Sequence, residues 1–140
     1  MLPCRREAGR GQPWLYGEVF PAPFEVKLSE HDVVQPDLLF ISNERAGILT
    51  EVNVLGAPDL VVEVLSDSSH QTDKLVKRRQ YELFGVREYW ILDPVLRTAS
   101  VYRLSQGRFA PPEELSAAAG DVLSTPLLPG LAIPLAEIFN

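Results

Sequence analysis

Asp59-Leu60-Val61-Val62-Glu63-Val64-Leu65 reads as a buried strand, rich in β-branched residues and interrupted by one carboxylate. Asp73 to Phe84 reads as a helix, and Glu88-Tyr89-Trp90-Ile91-Leu92-Asp93 as a second buried strand stopped by Pro94. Gly85 follows the helix at the position where a left-handed residue commonly closes one. A long helix between two buried strands is a crossover, which makes part of the sheet parallel. The fold class that follows is α/β, a mixed sheet flanked by helices.

The flanking text extends this core. Asp37 to Ile41 is a short apolar strand opened by Pro36, and antiparallel pairing of 37–41 with 59–65 would bring Asp37 near Glu63. Gly17 to Leu28 is extended, with Phe24, Val26 and Leu28 alternating against Glu25 and Lys27. Ser42 to Pro58 is a connector with one short helical turn, and Ser66 to Thr72 a polar loop rich in N-cap residues. Ala99 to Leu104 pairs back on 88–93 across the Asp93-to-Thr98 turn, and Leu135 to Phe139 forms a short helix. Residues 1–15, with Pro3, Gly9, Gly11 and Pro13, are expected to be a loose tail. Residues 16–140 are expected to form one domain.

With 46% hydrophobic and 23% charged residues among 140, the composition is that of a folded chain, not a disordered one. No apolar run approaches the roughly 20 residues of a membrane span, and none follows the early arginines as a signal peptide requires. The single cysteine, Cys4, excludes an internal disulfide and fits a reducing cytoplasm. A net charge of −6 excludes a general polyanion binder but leaves room for a local basic patch.

Glu63 is the odd residue. Inside Val61 to Leu65 a charge is costly unless it is paired. Either the strand is an edge and Glu63 faces water, or oxygen ligands converge there on a divalent cation. Asp37 is the natural partner. Asp59 is not: four residues along one strand place it about 13 Å away, so it is read as the residue that opens the strand. On the helix, Asp73, Lys74, Lys77, Arg78 and Tyr81 share one side, while Leu75, Val76 and Leu83 mark the other. Arg79 falls on the apolar side, so either it snorkels or the helix is turned. Lys77 reads as an i, i+4 ion-pair partner of Asp73 on a solvated face, or as a group leaning over the end of the Glu63 strand. His31 and His70 lie in polar loops and read as surface residues, and Trp90 reads as core.

Gln35-Pro36-Asp37, Gly56-Ala-Pro-Asp-Leu-Val-Val-Glu63-Val-Leu-Ser66, Asp73-x3-Lys77-x3-Tyr81 and Gly85-Val-Arg-Glu-Tyr-Trp-Ile-Leu-Asp93-Pro stand in order. Together they resemble a bacterial family of restriction-endonuclease-like proteins, formerly a domain of unknown function, within the PD-(D/E)xK nuclease superfamily. The resemblance covers roughly residues 17 to 140. It implies Asp37 and Glu63 as metal-binding carboxylates, with the backbone carbonyl of Val64 as a third ligand. The usual lysine would stand at position 65, where this chain has Leu65; the family's helix-borne lysine maps to Lys77, with Asp73 and Tyr81 in support. The resemblance also implies a further N-terminal segment, usual in the family, with a helix that packs on the sheet and can bring another site glutamate. This chain is expected to begin after that segment, and Glu18 is not taken as a substitute.

The implied activity is Mg²⁺-dependent endonucleolytic hydrolysis of a nucleic-acid phosphodiester, DNA first, with Mn²⁺ as an alternative ion. Lys77 would orient the attacking water, and Lys74 and Arg78 would contact flanking phosphates. By analogy with superfamily members that cut as dimers, a homodimer is a reasonable assembly. Two other classes stand beside this one. A catalytically inactive protein of the same fold would bind nucleic acid or a protein partner. A metal-free acid–base hydrolase would need one carboxyl kept neutral, against which a neighbouring lysine works.

Overall fold

The computed structural model describes residues 15–66 and 71–139, and the side chains of all of these except 71–73. Apart from Leu15, the tail expected over residues 1–15 lies outside the described residues, as does His70. The strands are β1 (Gly17–Pro21), β2 (Glu25–Lys27), β3 (Val33–Val34), β4 (Leu38–Ser42), β5 (Asn53–Leu55), β6 (Leu60–Val64) and β7 (Glu88–Asp93). They continue with β8 (Thr98–Ser105), β9 (Arg108–Phe109), β10 (Glu113–Ser116), β11 (Val122–Leu123) and β12 (Ile133–Pro134). The helices are α1 (Gln71–Phe84) and α2 (Leu135–Ile138), with a 3-10 helix over Asn43–Ile48. Among the described residues no helix is long and apolar enough to cross a membrane.

The main sheet runs β1-β4-β6-β7-β8-β10, with β9 paired to β8. β6 and β7 are parallel and joined by α1, which is the crossover expected from the two apolar runs. The other pairs are antiparallel, so the sheet is mixed. β4 pairs with β6 as expected, Leu38 opposite Val62 and Phe40 opposite Leu60. β7 pairs with β8 across the Asp93-to-Thr98 turn. Gly85 closes α1 with φ +86°, a conformation that costs glycine little.

Alternation along the strands sorts the core onto two faces. Leu39, Ile41, Val61, Tyr89 and Ile91 pack under α1 with Val26 and Val54 of a small sheet, β3-β2-β5. Phe40, Leu60, Val62, Trp90 and Val101 pack on the other side against the C-terminal segment and Leu135 of α2.

Two expectations change and one open reading is resolved. The extended stretch 17–28 is two strands in two sheets, because Pro21 and Pro23 interrupt it and a proline offers no ladder N–H. The helix begins at Gln71 rather than Asp73, taking the end of the polar loop into its first turn. It is also turned: Leu75, Val76 and Leu83 remain exposed, while Tyr81 is fully buried, edge-on to Tyr89 at 4.9 Å between ring centroids. One aromatic at the centre of the interface, with a hydroxyl that finds a partner, outweighs the scattered aliphatics.

Candidate active site

β4 and β6 place the two carboxylates. Asp37 directly precedes Leu38, and Glu63 directly follows its partner Val62, so they lie one step beyond the last paired residues. Period two puts Asp37 on the face of Leu39 and Ile41, and Glu63 on the face of Val61, which is the face under α1. The Asp37 Oδ2 accepts the amide hydrogen of Val64 at 2.7 Å. The N–H and C=O of one strand residue project toward the same edge, so the Val64 carbonyl looks toward the Asp37 side.

α1 closes the site from above. Tyr81 and Lys77, one turn apart, both reach Glu63: the Tyr81 hydroxyl donates to Oε2 at 2.8 Å, and Lys77 Nζ stands 3.7 Å from Oε1. Glu63 thus faces neither water nor an empty core. Burial holds its carboxyl above the ordinary glutamate range, with the Asp37 charge adding to the rise, although Tyr81 and Lys77 both pull it down. The lysine that was expected to keep a carboxylate charged here is outweighed by desolvation. Burial, followed by the Glu63 charge, likewise drives the Tyr81 hydroxyl far up, so it acts as a hydrogen-bond donor.

Lys74 and Arg78 sit on the neighbouring wall of α1. They line a cleft of about 500 Å³ over β7, β8 and β10, beside Leu65, Asp93, Ser100 and Tyr102. The Arg78 guanidinium lies over the Tyr102 ring, 5.6 Å from its centroid. Asp73 is in the first turn of α1, but its side chain lies outside the described residues. His31 is exposed and Trp90 is core, as read from sequence. Asp59 does open β6, but it is also fully buried, where it accepts the Ser42 amide at 2.7 Å and faces Arg87 at 3.4 Å and Arg45 at 3.6 Å.

The donor set suits a hard cation. Two carboxylates and a main-chain carbonyl are oxygen ligands, and magnesium keeps several waters when few protein ligands are offered. Among the described residues no group of three His, Cys, Asp or Glu side chains gathers. The cleft residues on β8 escaped the sequence reading. Their signal was the alternation of Thr98, Ser100 and Tyr102 against buried Ala99 and Val101.

A family model described as "Uma2: Putative restriction endonuclease" matches residues 9–136. A crystal structure of a protein from Anabaena variabilis ATCC 29413, described as a putative nuclease belonging to DUF820, is similar in fold. The TM-score is 0.73 at 21% identity, over 91% of this chain and 70% of that one. No curated protein matches.

Proposed function

For a chain that belongs to the Uma2 family, described as putative restriction endonucleases, we propose metal-dependent hydrolysis of nucleic-acid phosphodiesters. One observation carries the reading. Asp37, Glu63, the Val64 main chain and Lys77 meet at one end of β4 and β6 under α1. Asp37, Glu63 and the Val64 carbonyl would hold Mg²⁺ or Mn²⁺, which when bound polarises a phosphate oxygen and acidifies a coordinated water.

The chain's own groups have separable tasks. Tyr81 fixes the Glu63 carboxylate in place through Oε2. Lys77, a third exposed and beside Oε1, is placed to orient a water and to offset charge developing on phosphorus. Lys74 and Arg78 supply positive charge where a flanking phosphate would lie, which a chain of net charge −6 needs locally. The proposed substrate is DNA. Cutting both strands of a duplex would take two such centres and hence a homodimer.

The test is cleavage of supercoiled plasmid and of circular single-stranded DNA with Mg²⁺ or with chelator. Strand breaks are expected only with metal, and neither Asp37→Asn nor Lys77→Ala should support them. Activity surviving both substitutions removes the assignment. The modest donor set favours one other reading, a nuclease-fold binding module without catalysis. Calorimetric titration with Mn²⁺ separates the two, since a module of that kind gives no heat that depends on Asp37.

A further inference from the structure

The cleft beside the candidate centre has a shape and chemistry that phosphate contacts alone do not explain. Its volume, about 500 Å³, falls in the range of roughly 300–1,000 Å³ that holds small organic ligands, and it is far too small for a duplex. One wall is the Arg78 guanidinium over the Tyr102 ring, a surface on which a planar heterocycle stacks. Leu65, Leu75, Ile91 and Leu96 make its apolar part.

Across from Lys74 and Arg78 the cleft carries two acceptors. Asp93 and Glu114 line the cleft, with the Ser100 hydroxyl donating to Glu114 at 2.7 Å. Asp93 Oδ1 already holds the amides of Val95 and Leu96 at 3.0 Å, which keeps the carboxylate in place at the turn. Two carboxylates repel a phosphate from the interior but accept hydrogens from the exocyclic amino group of a base. Lys74, on the α1 wall, is where the phosphate belongs.

Register ties the cleft to the centre. Glu63 is opposite Ile91, Ile91 opposite Ser100, and Ser100 opposite Glu114, one row across the sheet on a single face. At roughly 4.8 Å per strand, Ser100 lies about 10 Å from Glu63, a span of one or two nucleotides.

We infer that this cleft seats one unpaired nucleotide adjoining the scissile phosphate, its base between the Arg78–Tyr102 wall and Asp93. The inference rests on the nuclease reading for the scissile position. It specifies a substrate with an unpaired strand, which a single centre can cut, and a base carrying an amino group.

The experiment is fluorescence anisotropy of the full chain with labelled dC8, dT8 and a blunt eight-base-pair duplex, in chelator so that nothing is cleaved. Expected is binding of dC8 about 5- to 150-fold tighter than the duplex, the scale of one stacked base, and tighter than dT8. Ser100→Leu and Thr98→Leu, which fill the cleft from half-buried positions of β8, should each remove that advantage, with circular dichroism reporting the fold. Asp93→Asn should erase the preference for dC8 over dT8. Duplex binding as tight as dC8, or cleft-filling variants that bind dC8 like the parent, overturns the inference even if Mg²⁺-dependent cleavage is found. Cleft-dependent binding without cleavage keeps the nucleotide seat but removes the nuclease reading, and with it the scissile position.

Discussion

Asp37 holds the main-chain amide of Val64, with 2.7 Å between Oδ2 and N, and so ties one carboxylate of the proposed centre to the residue that follows the other. The Leu65 amide bonds to Leu92 of β7, so by alternation the Val64 amide points to the β4 side. There the ladder has ended at Leu38, and the aspartate side chain takes the place of a strand carbonyl.

That arrangement separates charge from structure at Asp37. In Asp37→Asn the amide oxygen still accepts from Val64, so stability should stay within about 0.5 kcal/mol of the parent. The lost charge should abolish metal-dependent cleavage and lower the Glu63 pKa, since the Asp37 charge raises it. Denaturant unfolding and a carboxyl-detected NMR titration read the two effects.

Tyr81→Phe removes the hydroxyl that donates to Glu63 Oε2. A hydrogen bond to a partly buried carboxylate is worth about 1–3 kcal/mol, and that much stability should be lost. Because this bond holds the Glu63 pKa down, losing it lifts the pKa further. The acid limb of the cleavage–pH profile should therefore move to higher pH. A purely structural role for Tyr81 would lower activity at every pH alike.

The crossover was legible because β6 over residues 60–62 and β7 over residues 88–91 are buried on both faces and read as nearly continuous apolar runs, with a glycine closing the helix between them. The meeting of Asp37 with the Glu63 strand followed from the same pattern, since antiparallel register and period two put both on one face. The turn of α1 was legible only as an alternative, raised by Arg79. Periodicity marks Leu75, Val76 and Leu83 as its packing side, and only the partner it covers, a carboxylate needing donors, selects Tyr81 and Lys77 instead. The Asp59 network was hidden for a related reason: Arg45 and Arg87 come from a connector and a loop, where sequence carries no period.

Glu63→Gln tests the cost of burying the charge. The folded-state pKa lies above the ordinary 4.5, so near neutral pH the native state pays to ionise a group that the unfolded chain ionises freely. Stability contributed at this site should rise as pH falls through the folded pKa toward 4.5, and fall as pH rises. In chelator at pH 7 the Gln variant should be at least as stable as the parent, with the difference vanishing near pH 4. Adding Mg²⁺ should stabilise the parent by about 1.4 kcal/mol at ten times its dissociation constant, a few degrees in Tm, and leave the variant unmoved. A parent that gains nothing from metal argues against the centre.

Asp59 makes the opposite case, a buried carboxylate with a structural task. It is fully buried, accepts the Ser42 amide and faces two guanidinium groups. Arg45 in turn donates to the carbonyls of Ala57, Pro58 and Gly85, fastening the 3-10 helix to the start of β6 and the end of α1. Asp59→Ala leaves the Ser42 amide without its acceptor and Arg45 without the carboxylate it faces, while Arg87 keeps Glu44 at 3.6 Å. Removing one partner of a buried pair costs about 3–5 kcal/mol, but Arg45 and Arg87 keep partial access to water, so a loss of roughly 2–4 kcal/mol is expected. Metal affinity measured below the unfolding transition should be unchanged, because β6 separates Asp59 from Glu63 by four residues. A variant that keeps its stability but loses metal binding would move Asp59 into the centre, against the strand geometry that places it elsewhere.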